Sequence, residues 1–83
     1  MDNLSEEELK ILLAVERSDD SECDFDTLVR TLNLSETKAE YYVSVLSFER
    51  NYLYWIGNTD PNVPDRYRLT NKGRKFLLER SHI

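Results

Sequence analysis

The sequence predicts an α+β domain in which three helices precede a two-stranded hairpin and a last helix, the order α-α-α-β-β-α. Two observations support this order. One is a pair of amphipathic stretches joined by a tight polar turn at Asn33, and the other is a strand-to-helix corner that runs from Arg66 to Arg74. We expect a single domain over residues 1–83, with the joined helices at about 26–50, the hairpin at about 53–69 and the last helix at about 70–80.

The first helix has a strong start signal. Ser5 is expected to cap the helix while Glu8 reaches back to it, and Leu4 can pack onto Leu9. Residues 18–24 are polar and are predicted to be a solvated loop, with calcium binding the weaker alternative because the loop contains no glycine and lacks the ligand spacing of a calcium site. The expected buried stripe of the first helix is Leu9, Leu12 and Leu13, widened by Ile11 and Val15.

The second and third helices are predicted from caps. Asp26 is expected to cap a helix that ends at Leu32, and Asn33 can take the left-handed conformation that ends a helix. Ser35 then caps a third helix that runs to about Arg50. The second helix is expected to bury Leu28, Val29 and Leu32.

Two apolar stripes lie on opposite sides of the third helix. The first is the better core candidate, because the small side chain of Ala39 permits close approach of the second helix. The second has a C-terminal part that is expected to pack under the strands, whereas Tyr41 is open to solvent or to a partner. The first stripe is Ala39, Tyr42, Val43 and Leu46, and the second is Tyr41, Val45, Phe48 and Tyr52.

The hairpin and the last helix complete the chain. Residues 53–56 and 66–69 are rich in strand-forming residues, and residues 57–65 between them are rich in turn formers. Thr70 stands in a capping position before a helix that is expected to bury Phe76 and Leu77.

Composition favours a binding module over an enzyme. A chain of this length buries only about 60–65% of its unfolded surface, which leaves little room for a catalytic cleft. The sequence shows no nucleophile-base set, no paired catalytic carboxylates and no glycine-rich phosphate loop, and His82 has no second metal ligand near it. We therefore expect no catalysis, no cofactor and no metal.

The expected compartment is the cytoplasm. Cys23 is the only cysteine, so no intramolecular disulfide can form, and a small semi-buried residue is the simplest interpretation. The sequence contains no apolar run long enough to span a bilayer and no signal-peptide core at its start, so no membrane association is expected.

Charge is unevenly distributed along the chain. The formal net charge is −5. Residues 1–26 carry ten acids and two cations, whereas residues 27–83 carry six acids and nine cations. The total argues against tight non-specific binding of nucleic acid, but the distribution leaves one face available for it.

The chain resembles the winged helix-turn-helix regulators of the MarR and PadR type over about residues 26–78. The resemblance rests on the helix-turn-helix spacing of Leu28, Leu34 and Ala39 and on the corner Tyr67, Leu69, Thr70, Gly73 and Arg74. The family usually has glycine where this chain has Asn33, and again before the first wing strand, where it has Asn51 or Tyr52.

The resemblance implies a small transcription regulator, of phage or plasmid type, that binds double-stranded DNA. Its third helix would enter the major groove, and its basic wing would hold phosphates. The alternative for the same cations is a solvated face that offsets the acidic first helix. The candidate DNA contacts are Ser35, Thr37, Lys38, Tyr41, Ser44, Arg66, Arg68, Lys72 and Arg74.

The rival hypothesis is a non-catalytic adaptor or inhibitor that uses this fold to bind a protein. Glu36 and Glu40 lie on the surface that would face DNA, where carboxylates oppose phosphate binding. The candidate partner-binding residues are Tyr41, Val45 and Phe48. A homodimer is compatible with both hypotheses.

Overall fold

The computed structural model describes residues 4–80, and His82 lies outside them. These residues form an α+β fold with four α-helices and a three-stranded antiparallel sheet, a layout compatible with the predicted one. The helices are α1 (Glu6–Arg17), α2 (Phe25–Leu32), α3 (Glu36–Ser44) and α4 (Asn71–Glu79), and the strands are β1 (Glu22–Asp24), β2 (Leu53–Ile56) and β3 (Arg66–Leu69).

Three of the four predicted caps are confirmed. Ser5 and Glu8 form the reciprocal capping box, since Ser5 Oγ accepts from the Glu8 amide at 3.2 Å and the Ser5 amide donates to Glu8 Oε1 at 3.0 Å. Ser35 caps α3 and Thr70 caps α4. The prediction of Asp26 as the second cap was wrong: Asp24 Oδ1 accepts from the Thr27 amide at 2.7 Å, so α2 begins at Phe25.

Two asparagines replace the expected glycines. Asn33 has a φ of 53° and ends α2, and Asn51 has a φ of 60° and precedes β2. Both therefore occupy left-handed backbone, which asparagine tolerates better than most residues.

A third strand joins the predicted hairpin. The prediction of a loop throughout residues 18–24 was wrong for Glu22–Asp24, which forms β1 and pairs antiparallel with β3. β3 is thus the central strand of the order β1-β3-β2. Three residues with alternating acids carry no apolar signal of their own, and the pairing with β3 is what makes them a strand.

A π-helical turn follows α3. Residues Val45–Glu49 are π-helical, and the Arg50 amide donates to Val45 O, five residues earlier, at 2.9 Å. Each residue of this wider turn rotates less about the helix axis than an α-helical residue does. The side chains that follow Val45 therefore do not point in the directions that an α-helix predicts. Val45 and Ser47 are buried, while Phe48 is exposed. The Ser47 hydroxyl is the one buried side-chain polar group in residues 4–80 that has no hydrogen-bond partner.

The core lies between the helices and one face of the sheet. The first apolar stripe of the third helix is confirmed at Ala39, Val43 and Leu46, with Tyr42 partly buried. The expected stripe of α1 was centred wrongly, because Leu9 and Leu13 are only partly buried. The residues with no exposed surface are Ile11, Leu12, Val15, Leu28, Leu46 and Leu77.

A close backbone approach fixes the corner between β3 and α4. Thr70 Oγ1 donates to Asn51 O at 2.7 Å, and the Thr70 amide donates to Tyr52 O at 3.0 Å. Gly73 in the first turn of α4 lies directly against Tyr52, so that a Cβ at this position would overlap the Tyr52 carbonyl oxygen and lie 2.9 Å from Leu69 Cδ1. The corner therefore requires glycine.

We predict that Gly73→Ala lowers the free energy of unfolding by about 1–3 kcal/mol, because forced overlap outweighs the better helix propensity of alanine. Urea denaturation followed by Trp55 fluorescence measures the change. Gly57→Ala is the matched control: its Cβ would meet only the Trp55 ring, at 3.1 Å, and we expect a change within about 0.5 kcal/mol. Equal stability of Gly73→Ala and the wild type would contradict the prediction.

Candidate functional site

One side of the molecule is formed by α3, the π-helical turn and the hairpin, and we call it the α3–hairpin face. The outward ridge of α3 carries Thr37, Tyr41 and Ser44, all exposed. Ser35 Oγ accepts from the Lys38 amide at 3.2 Å, so the start of α3 is capped at this face, and Lys38 is exposed. The structure thus brings the five predicted contacts of the third helix together.

A groove separates α3 from the hairpin on this face, and we call it the aromatic groove. Its volume is about 160 Å³. Phe48 and Trp55 form its outer wall, with ring centroids 6.0 Å apart and planes inclined by 70°. Both rings are open to solvent, Phe48 at 64% and Trp55 at 45%. Other residues that line the groove are Phe25, Glu40, Asp65 and Tyr67.

The predicted partner-binding residues behave differently from one another. Tyr41 is 65% exposed and its ring lies 5.5 Å from that of Tyr42. Phe48 is exposed beside Trp55. Val45 is buried at the start of the π-helical turn. Two of the three residues are therefore available on the surface.

The α3–hairpin face is acidic. Between residues 36 and 69, the stretch that contains α3, the π-helical turn and the hairpin, the chain has five acids and four cations, and two of these cations, Arg66 and Arg68, are paired with Glu22 of β1. Glu36 and Glu40 are exposed on α3, Asp60 is exposed in the loop, and Asp65 borders the aromatic groove. The loop between β2 and β3 contains no lysine or arginine. These exposed carboxylates oppose the approach of a phosphate backbone.

The carboxylates of the groove affect Tyr67. Burial raises the pKa of Tyr67 to about 12, and the charges of Asp65 and Glu40 add to the rise. The phenol therefore stays protonated at neutral pH and can act as a hydrogen-bond donor.

Arg66 and Arg68 lie on the outer face of the sheet, opposite the core. Arg66 Nε donates to Glu22 Oε2 at 2.5 Å, and Arg68 Nη2 donates to Glu22 Oε1 at 2.8 Å. These two hydrogen bonds, that of Arg66 first, hold the pKa of the Glu22 carboxyl below its usual value. The two arginines share a side of β3, as predicted, but they are paired with an acid of β1.

The remaining predicted cations lie at the open end of the hairpin. Lys72 and Arg74 are exposed on α4, which begins where β3 ends. Lys72 Nζ lies 5.7 Å from the centroid of the Tyr52 ring, and Arg74 Nη2 lies 3.3 Å from Ser21 Oγ. The four residues of β3 separate this end from the 57–65 loop by about 13 Å. Lys72 and Arg74 therefore lie at the opposite end of β3 from the loop.

Sequence reasoning missed three groove residues, Phe25, Trp55 and Asp65. Trp55 was assigned to a strand but not to a site, although a lone tryptophan on a short hairpin strand is a signal that could have been used. Phe25 and Asp65 are brought together by a backbone hydrogen bond from the Phe25 amide to Asp65 O, at 2.9 Å. Nothing local in the sequence indicates that contact.

No group of acidic, histidine and cysteine side chains in residues 4–80 is arranged to hold a metal ion. Over the same residues, no helix combines the length and the apolar character needed to cross a bilayer. No protein-family model matches the sequence, and no curated protein matches it either.

We predict that Glu22→Gln makes the protein less stable at neutral pH, and that the difference from the wild type shrinks as the pH falls below 4.5. The folded-state pKa of Glu22 is lowered, so its contribution is present above the unfolded-state value of 4.5 and is lost as the folded carboxyl is protonated. Urea denaturation at pH 7 and pH 3 measures both differences. Glu79→Gln, which removes an exposed acid on α4, is the control. A stability difference between Glu22→Gln and the wild type that is the same at both pH values would contradict the lowered pKa of Glu22.

Proposed function

We propose that this chain is a winged helix-turn-helix module that binds another protein through its α3–hairpin face. The order of helices and strands supports the first part. α2 and α3 form the helix-turn-helix pair, β2 and β3 form the wing, and β1 pairs with the wing from the other side. Asn33 ends α2 in the left-handed conformation, and Ser35 caps the start of α3. Together they form the tight turn that this motif requires.

The exposed aromatic pair in acidic surroundings is the observation that supports the second part. Large aromatic side chains that remain open to solvent at the centre of a face are typical anchors of protein interfaces. Phe48 and Trp55 are such a pair, and Tyr41 is a further exposed aromatic side chain on α3. Glu36 and Glu40 surround this patch where a DNA-reading surface would need cations.

We expect the DNA affinity of this module to be weaker than the about 10⁻⁴–10⁻⁶ M that is typical of non-specific DNA binding at physiological salt. The loop of the wing holds no cation, and Arg66 and Arg68 are paired with Glu22. These three features remove the phosphate contacts that a wing would ordinarily supply.

A display library of short peptides tests the proposed function. Peptides selected on the wild-type domain should lose at least about tenfold in affinity for Phe48→Glu, because a buried aromatic anchor contributes about 2 kcal/mol or more. Leu78→Glu is the matched control, an exposed apolar residue on α4 that lies away from the face. Peptides that bind both variants equally, with circular dichroism showing both folded, would contradict the proposal.

DNA binding is the second candidate, and the exposed ridge of α3 favours it. Thr37, Tyr41 and Ser44 present hydroxyl groups in a row beside Lys38. This is a geometry that a major-groove helix can use for base and phosphate contacts.

Fluorescence anisotropy with a random-sequence DNA duplex separates the two candidates. If the ridge binds DNA, the affinity must fall steeply with added salt, and Lys38→Glu must weaken it while Lys10→Glu on α1 does not. We expect no such binding. A steep salt dependence that Lys38→Glu reduces would establish DNA as the partner of the α3 ridge and displace the first proposal.

A further inference from the structure

We propose that the aromatic groove receives the side chain of one arginine presented by the partner protein. This inference rests on the proposed protein-binding function and adds the chemistry of the partner. It draws on three properties of the groove: its size, its carboxylates and its exposed rings.

The size of the groove suits a single side chain. Its volume of about 160 Å³ lies below the range of about 300–1,000 Å³ found for pockets that bury a whole small molecule. An anchor residue of a larger partner is the occupant that fits this scale, and the remaining contact would come from the surrounding face.

The carboxylates make the groove selective for a cation. Glu40 borders it from α3 and Asp65 borders it from the end of the hairpin loop. The hydrogen bond from the Phe25 amide to Asp65 O holds the backbone of Asp65 in place. Neither side chain forms an ion pair with another residue between positions 4 and 80. Both acceptors are therefore available to a cationic group from outside.

The groove rings favour arginine over lysine. A guanidinium is planar, donates two parallel hydrogen bonds to a carboxylate and stacks on an aromatic face, whereas an ammonium is a compact, strongly hydrated charge. Phe48 and Trp55 offer such faces within the same groove as the two acids. The chain already shows this contact elsewhere, since the Arg80 guanidinium lies 4.1 Å from the centroid of the Phe76 ring.

Charge complementarity also agrees with a basic partner. Glu36 on α3 and Asp60 in the hairpin loop are exposed in addition to the two groove acids. An arginine-bearing segment would meet carboxylates at the groove and beside it, which favours a basic partner over an acidic one.

Trp55 is the only tryptophan of the chain, so its fluorescence reports occupancy of the groove directly. The probe is an acetylated, amidated leucine–arginine–leucine tripeptide, and the matched probe replaces arginine with citrulline, which keeps the shape and removes the charge. We expect the arginine peptide to change Trp55 emission in a saturable way, with at least about tenfold weaker binding of the citrulline peptide.

Two double variants separate the groove acids from general surface charge. Glu40→Gln with Asp65→Asn should weaken the arginine peptide by about tenfold or more. Glu49→Gln with Asp60→Asn removes the same charge outside the groove, and we expect less than a threefold change, since exposed charges contribute little. Equal binding of the two peptides, or of the groove variant and the wild type, would overturn the arginine anchor.

The results also distinguish this inference from the proposed function. Display peptides that depend on Phe48 but bind the Glu40→Gln, Asp65→Asn variant as tightly as the wild type would leave protein binding intact and remove the arginine anchor. Peptides that bind the Phe48→Glu variant as tightly as the wild type would contradict both the arginine anchor and the proposed protein-binding function. Concentration-dependent self-association in sedimentation, abolished by Phe48→Glu, would identify a second copy as the occupant and likewise overturn an external arginine.

Discussion

The contact between the first turn of α4 and the two residues that precede β2, Asn51 and Tyr52, is the constraint on which the rest of the structure depends. Gly73 lets α4 approach the Tyr52 carbonyl, while Thr70 joins the same segment through its amide and its hydroxyl. β2 begins and β3 ends at this contact, so the two strands of the hairpin are held in place relative to α3. The aromatic groove lies between this hairpin and α3, with Trp55 on one side and Glu40 on the other.

Local signals predicted most of the fold, because caps and turns depend on residues that are close in sequence. Ser35 and Thr70 indicate where α3 and α4 begin, and Asn33 indicates where α2 ends. Two features escaped for different reasons. β1 is a strand only through its pairing with β3, more than forty residues away. The π-helical turn over Val45–Glu49 changes the rotation per residue, so a fixed angle of 100° does not give the direction of Phe48, which was expected to pack under the strands and is exposed.

The candidate site was less accessible to sequence reasoning than the fold. Charge counting found the cations near β3, but it could not show that Glu22 accepts hydrogen bonds from both Arg66 and Arg68. A carboxylate from another element thus converts a phosphate-binding pattern into an internal ion pair. The partner-binding set included Phe48, which is exposed, but did not connect it with Trp55, because only the folded hairpin brings the two rings together.

The separation of charge between α4 and the α3–hairpin face has a kinetic consequence. The proposed cationic partner would be attracted by the acids of the α3–hairpin face over a distance comparable with the Debye length, about 8 Å at physiological ionic strength, and repelled by the cations of α4. Collisions would therefore be oriented before contact, and the association rate would depend on ionic strength. The lifetime of the complex would instead be set by how well Phe48 and Trp55 are covered, because short-range packing governs dissociation.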